Sequence, residues 1–200
     1  ELEQLILCGA FDSLHLHRRA LLWAIPDAIE YTRLVRPIGG LPLSYAEPTL
    51  REDLPDFADI EKALYQRATL SLDIDQHLMT FERERVLRKG GLTTAEARRL
   101  PDGTAAFVVG NPIRLRFPPT PSGKRVVFFD LEDETGLLNV TCFDRVYRQD
   151  GHAIVCSPFV TIVGHAQHRD EHVAFLADRV FPYRPAQAKL PDRPNGFCVG

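Results

Sequence analysis

The sequence predicts an α+β chain in which an N-terminal helical segment and a linker precede a five-stranded β-barrel. Three observations carry this. Apolar residues recur at helical spacing on either side of a Pro/Gly-rich stretch as far as residue 103, and the spacing then switches to the two-residue alternation of strands. Five strand-like runs follow, with a helix-compatible stretch between the third and the fourth.

Leu2, Leu5 and Ile6, then Leu14, Ala20, Leu21 and Leu22, flank Gly9-Ala10-Phe11-Asp12-Ser13 and predict a helix, a tight break and a second helix over 1–25. Gly9 suits the left-handed residue after the first helix, and Asp12 or Ser13 suits the cap of the second. Residues 26–58 carry Pro26, Pro37, Gly39, Gly40, Pro42, Pro48 and Pro55, which predicts a linker. A helical connector is expected over 59–103, from the stripe Ile60, Ala63, Leu64, Ala68 and the later set Phe81, Val86, Leu87. Thr94–Leu100 adds a short helix capped by Thr93 or Thr94.

After the Pro101-Asp102-Gly103 turn, strands are predicted at 105–117, 125–136, 137–143, 159–167 and 172–181, with a helix near 144–155. Five short strands with a helix after the third is the order of an OB-type barrel, expected over 104–183; a small sandwich is the rival architecture. Residues 184–200, with Pro185, Pro191 and Pro194, have no periodic pattern and read as an extended tail.

Composition narrows the function. With 44% apolar and 26% charged residues in 200, the chain can bury a core, and its net charge of -3 excludes the overall basicity of many DNA-binding proteins. Any nucleic-acid site must be a local patch. No apolar run reaches the length of a membrane span, and the start lacks the pattern of a secretory signal, so no membrane partner and a cytoplasmic location are expected. Glu1 in place of Met points to a fragment. Cys8, Cys142, Cys156 and Cys198 have no paired spacing, which argues against a zinc ribbon or a disulfide framework.

Single-stranded nucleic acid needs cations for its phosphates and exposed rings for its bases. On the first strand, alternation puts Arg114 and Arg116 on one face and Ile113, Leu115 and Phe117 on the other. The following loop ends in Lys124-Arg125, where barrels of this type commonly grip ligands. On the second strand, Val127, Phe129 and Leu131 form one face and Phe128 the other, so Phe128 is a candidate stacking platform; Phe143, across the neighbouring strand, is a second. The alternative for Phe128 is a second apolar layer under a helix or partner. His165, His168 and His172 fall on a hairpin that points them apart, so no metal site is expected. The acidic run Asp130, Glu132, Asp133, Glu134 leads into a turn and reads as solvated carboxylates rather than a two-metal centre. No phosphate-cradling loop, nucleophile elbow or Ser/His/Asp grouping occurs, so neither a catalytic residue nor a cofactor is assigned.

GAFDSLHLHRRALLWAI (9–25), LPLSYAEP (41–48), ATLSLDIDQHLMTFERERVLRKGG (68–91) and VVFFDLEDETGLLNVTCFDRVY (126–147) resemble the C-terminal part of bacterial C-family DNA polymerases. Among these the chain is most similar to the error-prone branch of the DNA polymerase III α subunit, over roughly residues 1–183, most specifically from Val126 to Val140. The resemblance implies the end of a helix-hairpin-helix region, a helical connector, and an OB domain near single-stranded template, with duplex backbone as a further contact. It also implies a polymerase core and replication or mutagenesis proteins as partners. The palm and its catalytic aspartates would lie upstream, so the resemblance assigns this chain no polymerase activity. Thr69 stands where the family often has Gly, and Leu78 where it often has Pro. Leu41-Pro42-Leu43 occupies the place of a sliding-clamp peptide, but Ser44 and Gly40 replace the aromatic and the glutamine, so a clamp contact is not expected. The rival function is a protein-interaction scaffold that uses the face carrying Phe128.

Overall fold

The structure, a computed structural model, describes residues 1–14, 17–35, 47–51, 53–120, 123–169 and 172–186; of Arg169 and His172 it describes the backbone alone. The chain divides into two compact units, Glu1–Asp75 and the segment from Gln76 onward. That division falls inside the connector expected over 59–103.

The first unit holds α1 (Leu2–Leu7), α2 (Arg18–Val35) and α3 (Asp59–Leu70). Gly9 follows α1 at φ +89°, the left-handed conformation expected of it. A Cβ there would also lie 2.3 Å from a guanidinium nitrogen of Arg18, so a side chain would have to displace that buried group. Arg18 is buried, donating to Asp12 at 2.6 and 2.9 Å and to the Leu7 carbonyl at 3.0 Å. Asp12 is therefore the counter-ion of Arg18 and not a helix cap. The cap is His17, whose Nδ1 accepts from the backbone N–H of Ala20 at 3.0 Å while its Nε2 lies 2.7 Å from the Leu54 carbonyl. Those partners require the tautomer with hydrogen on Nε2. α2 continues through Pro26, so the boundary expected at residue 25 falls inside it. The proline removes one N–H donor, but Asp27–Val35 contains no further Pro or Gly and carries the helix on.

The second unit holds α4 (Met79–Leu87), α5 (Thr94–Ala97), β1 (Ala105–Arg116), β2 (Val126–Asp133), β3 (Gly136–Phe143), α6 (Asp144–Cys156), β4 (Val160–Arg169) and β5 (His172–Pro182). The strands close a barrel in the order β1-β2-β3-β5-β4, antiparallel except for the short parallel β3–β5 seam. With α6 between β3 and β4, this is the OB fold, and the sandwich is excluded. Val127, Phe129 and Leu131 on β2 and Leu138, Val140 and Cys142 on β3 alternate into one core with Val108, Ile162 and Phe175. Val146, Ala153 and Ile154 of α6 join the same core, so the helix closes the barrel from one end. Burial and the nearby Asp150 push the Cys142 thiol up to about 12, and it packs as an apolar group. At Gly164 a Cβ would lie 2.0 Å from the Leu176 carbonyl, so β4 and β5 pair there only because the side chain is absent.

The acidic turn between β2 and β3 is not solvated as expected. The Asp133 carboxylate is buried and accepts from Thr94 N at 2.8 Å, Thr94 Oγ1 at 2.7 Å, Thr135 N at 2.8 Å and Thr135 Oγ1 at 2.7 Å. Arg83 of α4 donates to it at 2.7 Å and also bonds Glu134. A turn rule sees local residues, whereas here α4 and α5 arrive from 39 to 51 positions away in sequence. Burial pushes the Asp133 carboxyl up, but the donors from Thr135 and Thr94 outweigh it and hold it below the usual carboxylate range.

A depressed folded pKa gives stability that is fully present above the unfolded value of about 3.9 and is lost as pH falls through the folded one. Asp133→Asn is expected to cost about 3 kcal/mol or more at neutral pH, as one partner of a buried pair is removed, and to flatten the loss of stability below about pH 4. Urea unfolding at neutral and acidic pH measures both; the same deficit at the two pH values would contradict the assigned role.

Candidate nucleic-acid interface

β2 separates its two faces cleanly. Phe129 is 1% exposed and Phe128 is 39% exposed, because alternation sends one into the barrel and the other out. Phe128 pairs with Thr141 on β3 and with Arg116 on β1, and Phe143, at the end of β3, is 47% exposed. These residues border a groove of about 880 Å³ across β1, β2, β3 and β5, and Asn139, Gln167 and Leu176 complete much of its wall. Among the described lining residues Arg116 is the cation and none is a carboxylate.

The six residues singled out in the sequence therefore divide. Arg116, Phe128 and Phe143 come together in the groove. Arg114 does not, because β1 carries a bulge between Ile113 and Arg116: it places one extra residue opposite β2 and leaves Arg114 at φ +52°. Arg114 and Arg116 thus do not share a face by simple alternation. The Arg114 guanidinium lies 3.4 Å from Asp130, a buried carboxylate that also accepts from Asn139 at 2.6 Å. Arg125 lies with its guanidinium 6.0 Å from the centre of the Tyr147 ring, and its backbone N–H donates to Asp144 at 3.0 Å. Neither Lys124 nor Arg125 lines the groove.

The end of β1 at Arg116 accounts for a residue that the sequence reading missed. Phe117, placed by alternation on the apolar face, is exposed at the groove and meets Tyr147 of α6 edge to face at 5.8 Å. Its signal was the Phe117-Pro118-Pro119 end of the strand, where a proline pair leaves no ladder to bury a ring. Asn139, Thr141 and Gln167 carry no motif and are found only once the strands are paired.

Of the two histidines whose side chains are described, His165 Nδ1 lies 3.2 Å from Asp178 and His168 Nε2 lies 2.7 Å from the Leu100 carbonyl; the His172 side chain lies outside the described residues. Among the described residues no group of three His, Cys, Asp or Glu could hold a metal, and no helix is long and apolar enough to cross a membrane. The clamp-like segment 41–43, with Gly40 and Ser44, and the tail beyond residue 186 lie outside the described residues.

No family model matches the chain. An error-prone DNA polymerase of Symbiobacterium thermophilum is 37% identical over 199 residues, covering 90% of this chain and 18% of that protein. Another, of Sinorhizobium medicae, is 31% identical over 189 residues, covering 92% of this chain and 16% of that protein. The chain thus spans less than a fifth of the length of the relatives it matches. Among solved structures, the second OB-fold domain of replication protein A from Methanococcus maripaludis aligns with a TM-score of 0.34 and 10% identity, covering 46% of this chain and 95% of that domain.

Phe128 and Phe129 should differ in stability. Phe129→Ala is expected to cost about 3–5 kcal/mol, and Phe128→Ala, which empties no core, under about 1 kcal/mol. Thermal unfolding of the two variants checks this; equal losses would return Phe128 to the core.

Proposed function

We propose that this chain, which corresponds to a short portion of the error-prone DNA polymerases, is the non-catalytic C-terminal DNA-binding region of such a polymerase. Its barrel guides single-stranded template. The observation that carries the reading is the groove itself, where the exposed rings of Phe117, Phe128 and Phe143 stand beside Arg116, with no carboxylate among the described lining residues. Bases of any identity stack on such rings, and the cation meets the backbone, so sequence preference is slight. One cation among the described groove residues, in a chain of net charge -3, gives modest affinity, micromolar or weaker.

In the same reading the hairpin of α1 and α2, turned at Gly9, serves as the end of the helix-hairpin-helix region and touches duplex backbone. Lys124 and Arg125 act at the rim of the barrel and not in its groove. The location follows that of a replication or repair enzyme, in the cytoplasm.

A protein-binding role has its own support on α2, where Trp23, Ile29 and Leu34 are exposed and Pro26, Ile29, Glu30, Arg33 and Leu34 border a pocket of about 570 Å³. Salt separates the two readings, since phosphate contacts weaken steeply with ionic strength and an apolar interface does not.

Fluorescence anisotropy with labelled single-stranded DNA at low salt is expected to show binding. Phe128→Ala should cost about 1–3 kcal/mol of it with the salt slope nearly unchanged. Arg116→Ala should flatten the slope of log affinity against log salt by about 0.7, the value of one phosphate contact. Arg114→Ala, whose charge already faces Asp130, should do less. No binding by the parent, or a larger effect of Arg114 than of Arg116, would refute the reading.

A further inference from the structure

A second groove, of about 530 Å³, lies on another wall of the barrel. It runs between the end of α4 and the strands β1, β4 and β5, and three cations line it: Arg85, Lys89 and Arg184. The rings of Phe107 and Tyr183 and the hydroxyl-bearing Thr161 stand beside them, and no described lining residue is acidic. On β1 the first groove uses Arg116 and the second Phe107 and Val109; on β5 the first uses Ala174 and Leu176 and the second Pro182. The two grooves therefore occupy different stretches of shared strands.

The cations of the second groove are held in place from below. Glu82 is buried on α4 and accepts from Arg85 at 3.0 Å, from the Tyr183 hydroxyl at 2.7 Å and from the Ala186 backbone N–H at 2.9 Å. Arg85 donates in turn to the Arg184 carbonyl at 3.2 Å and lies 5.5 Å from the centre of the Tyr183 ring. These bonds fix residues 183–186 against α4, so that Arg184 is carried on a pinned segment. The Glu82 carboxylate behind the groove is matched by Arg85. Lys89 and Arg184 form no ion pair among the described residues, which leaves two uncompensated positive charges in a concave site. In a chain with 27 carboxylate residues against 24 Lys and Arg, that concentration asks for an anion.

We propose that this second groove binds the phosphodiester backbone of nucleic acid, through Lys89 and Arg184 with Arg85 as their support. The cations specify an anion by themselves; the choice of nucleic acid over an acidic peptide rests on the reading of the first groove and on the aromatic rings beside the cations. The two grooves then divide the work. The first contributes stacking and one charge, the second contributes charge, so stacking and the added salt dependence of longer strands belong to different residues.

The test uses the whole chain and anisotropy with single-stranded oligonucleotides of about 6 and about 30 nucleotides, lengths chosen against the site of about 4–16 nucleotides that one barrel occupies. Lys89→Ala with Arg184→Ala should flatten the salt slope for the longer strand by about 1.4, two contacts at about 0.7 each, and weaken its binding by about tenfold at low salt. Binding of the shorter strand should stay within about twofold of the parent, while Phe128→Ala should weaken both lengths. An unchanged slope with the longer strand would overturn the second groove and leave the first standing. A silent Phe128→Ala beside a flattened slope would do the reverse. Displacement of the longer strand by poly-glutamate as effectively as by unlabelled DNA would assign the groove to an acidic protein partner and overturn the nucleic-acid assignment. If the alanine pair lowers the melting temperature, Lys89→Gln with Arg184→Gln, which retains much of each side-chain stem, carries the same comparison.

Discussion

Closure of five strands into one barrel is the constraint on which the rest depends. A closed sheet has an inside and an outside, and each strand must alternate between them, so the burial of Val127, Phe129 and Leu131 forces Phe128 into solvent. The exposed ring is thus a by-product of a well-packed core. Closure also demands that strands approach where a side chain would intrude, and Gly164 meets that demand against Leu176. α6 then fills the open end with Val146, Ala153 and Ile154, which leaves the outer wall of β2 and β3 free for a ligand.

Each unit also contains an internal ion cluster with its hydrogen bonds satisfied. In the first, Arg18 lies within the break between two helices and is neutralised by Asp12; in the second, Asp133 lies within a tight turn and is met by Arg83 and two threonines. Such pairs gain little over apolar packing when whole, but cost much when halved. They are specificity devices: Asp133 orients α4 and α5 on the barrel, and α4 in turn carries Arg85 and Lys89 to their groove.

Much of the fold was legible because it follows local periodicity. The five strands, the helix after the third and the cap of α5 by Thr93 emerged from alternation and from a capping box, both of which act within a few residues. What stayed hidden depends on distance or on exceptions. Pro26 reads as a breaker, yet α2 runs on through it to Val35. Asp12 and Asp133 obey cap and turn rules in sequence, but a guanidinium from elsewhere takes them. In the groove, Arg116, Phe128 and Phe143 were legible from spacing; Arg114 was misplaced by a bulge and Phe117 by the end of the strand, and the polar lining was missed for want of any short-range signature.

That bulge gives β1 a property akin to a frameshift. Asn111–Ile113 pairs with β2 in one register, and Arg116 pairs with Phe128 one residue out of step with it. Inward and outward positions are therefore exchanged partway along one continuous strand, and the two halves are read in different phases. A lineage that lost Arg114 would keep Arg116 opposite Phe128 and every apolar side chain of β2 and β3 in the core, and would return β1 to plain alternation. The pairing with β2, rather than the count of residues along β1, thus holds Arg116 at the groove.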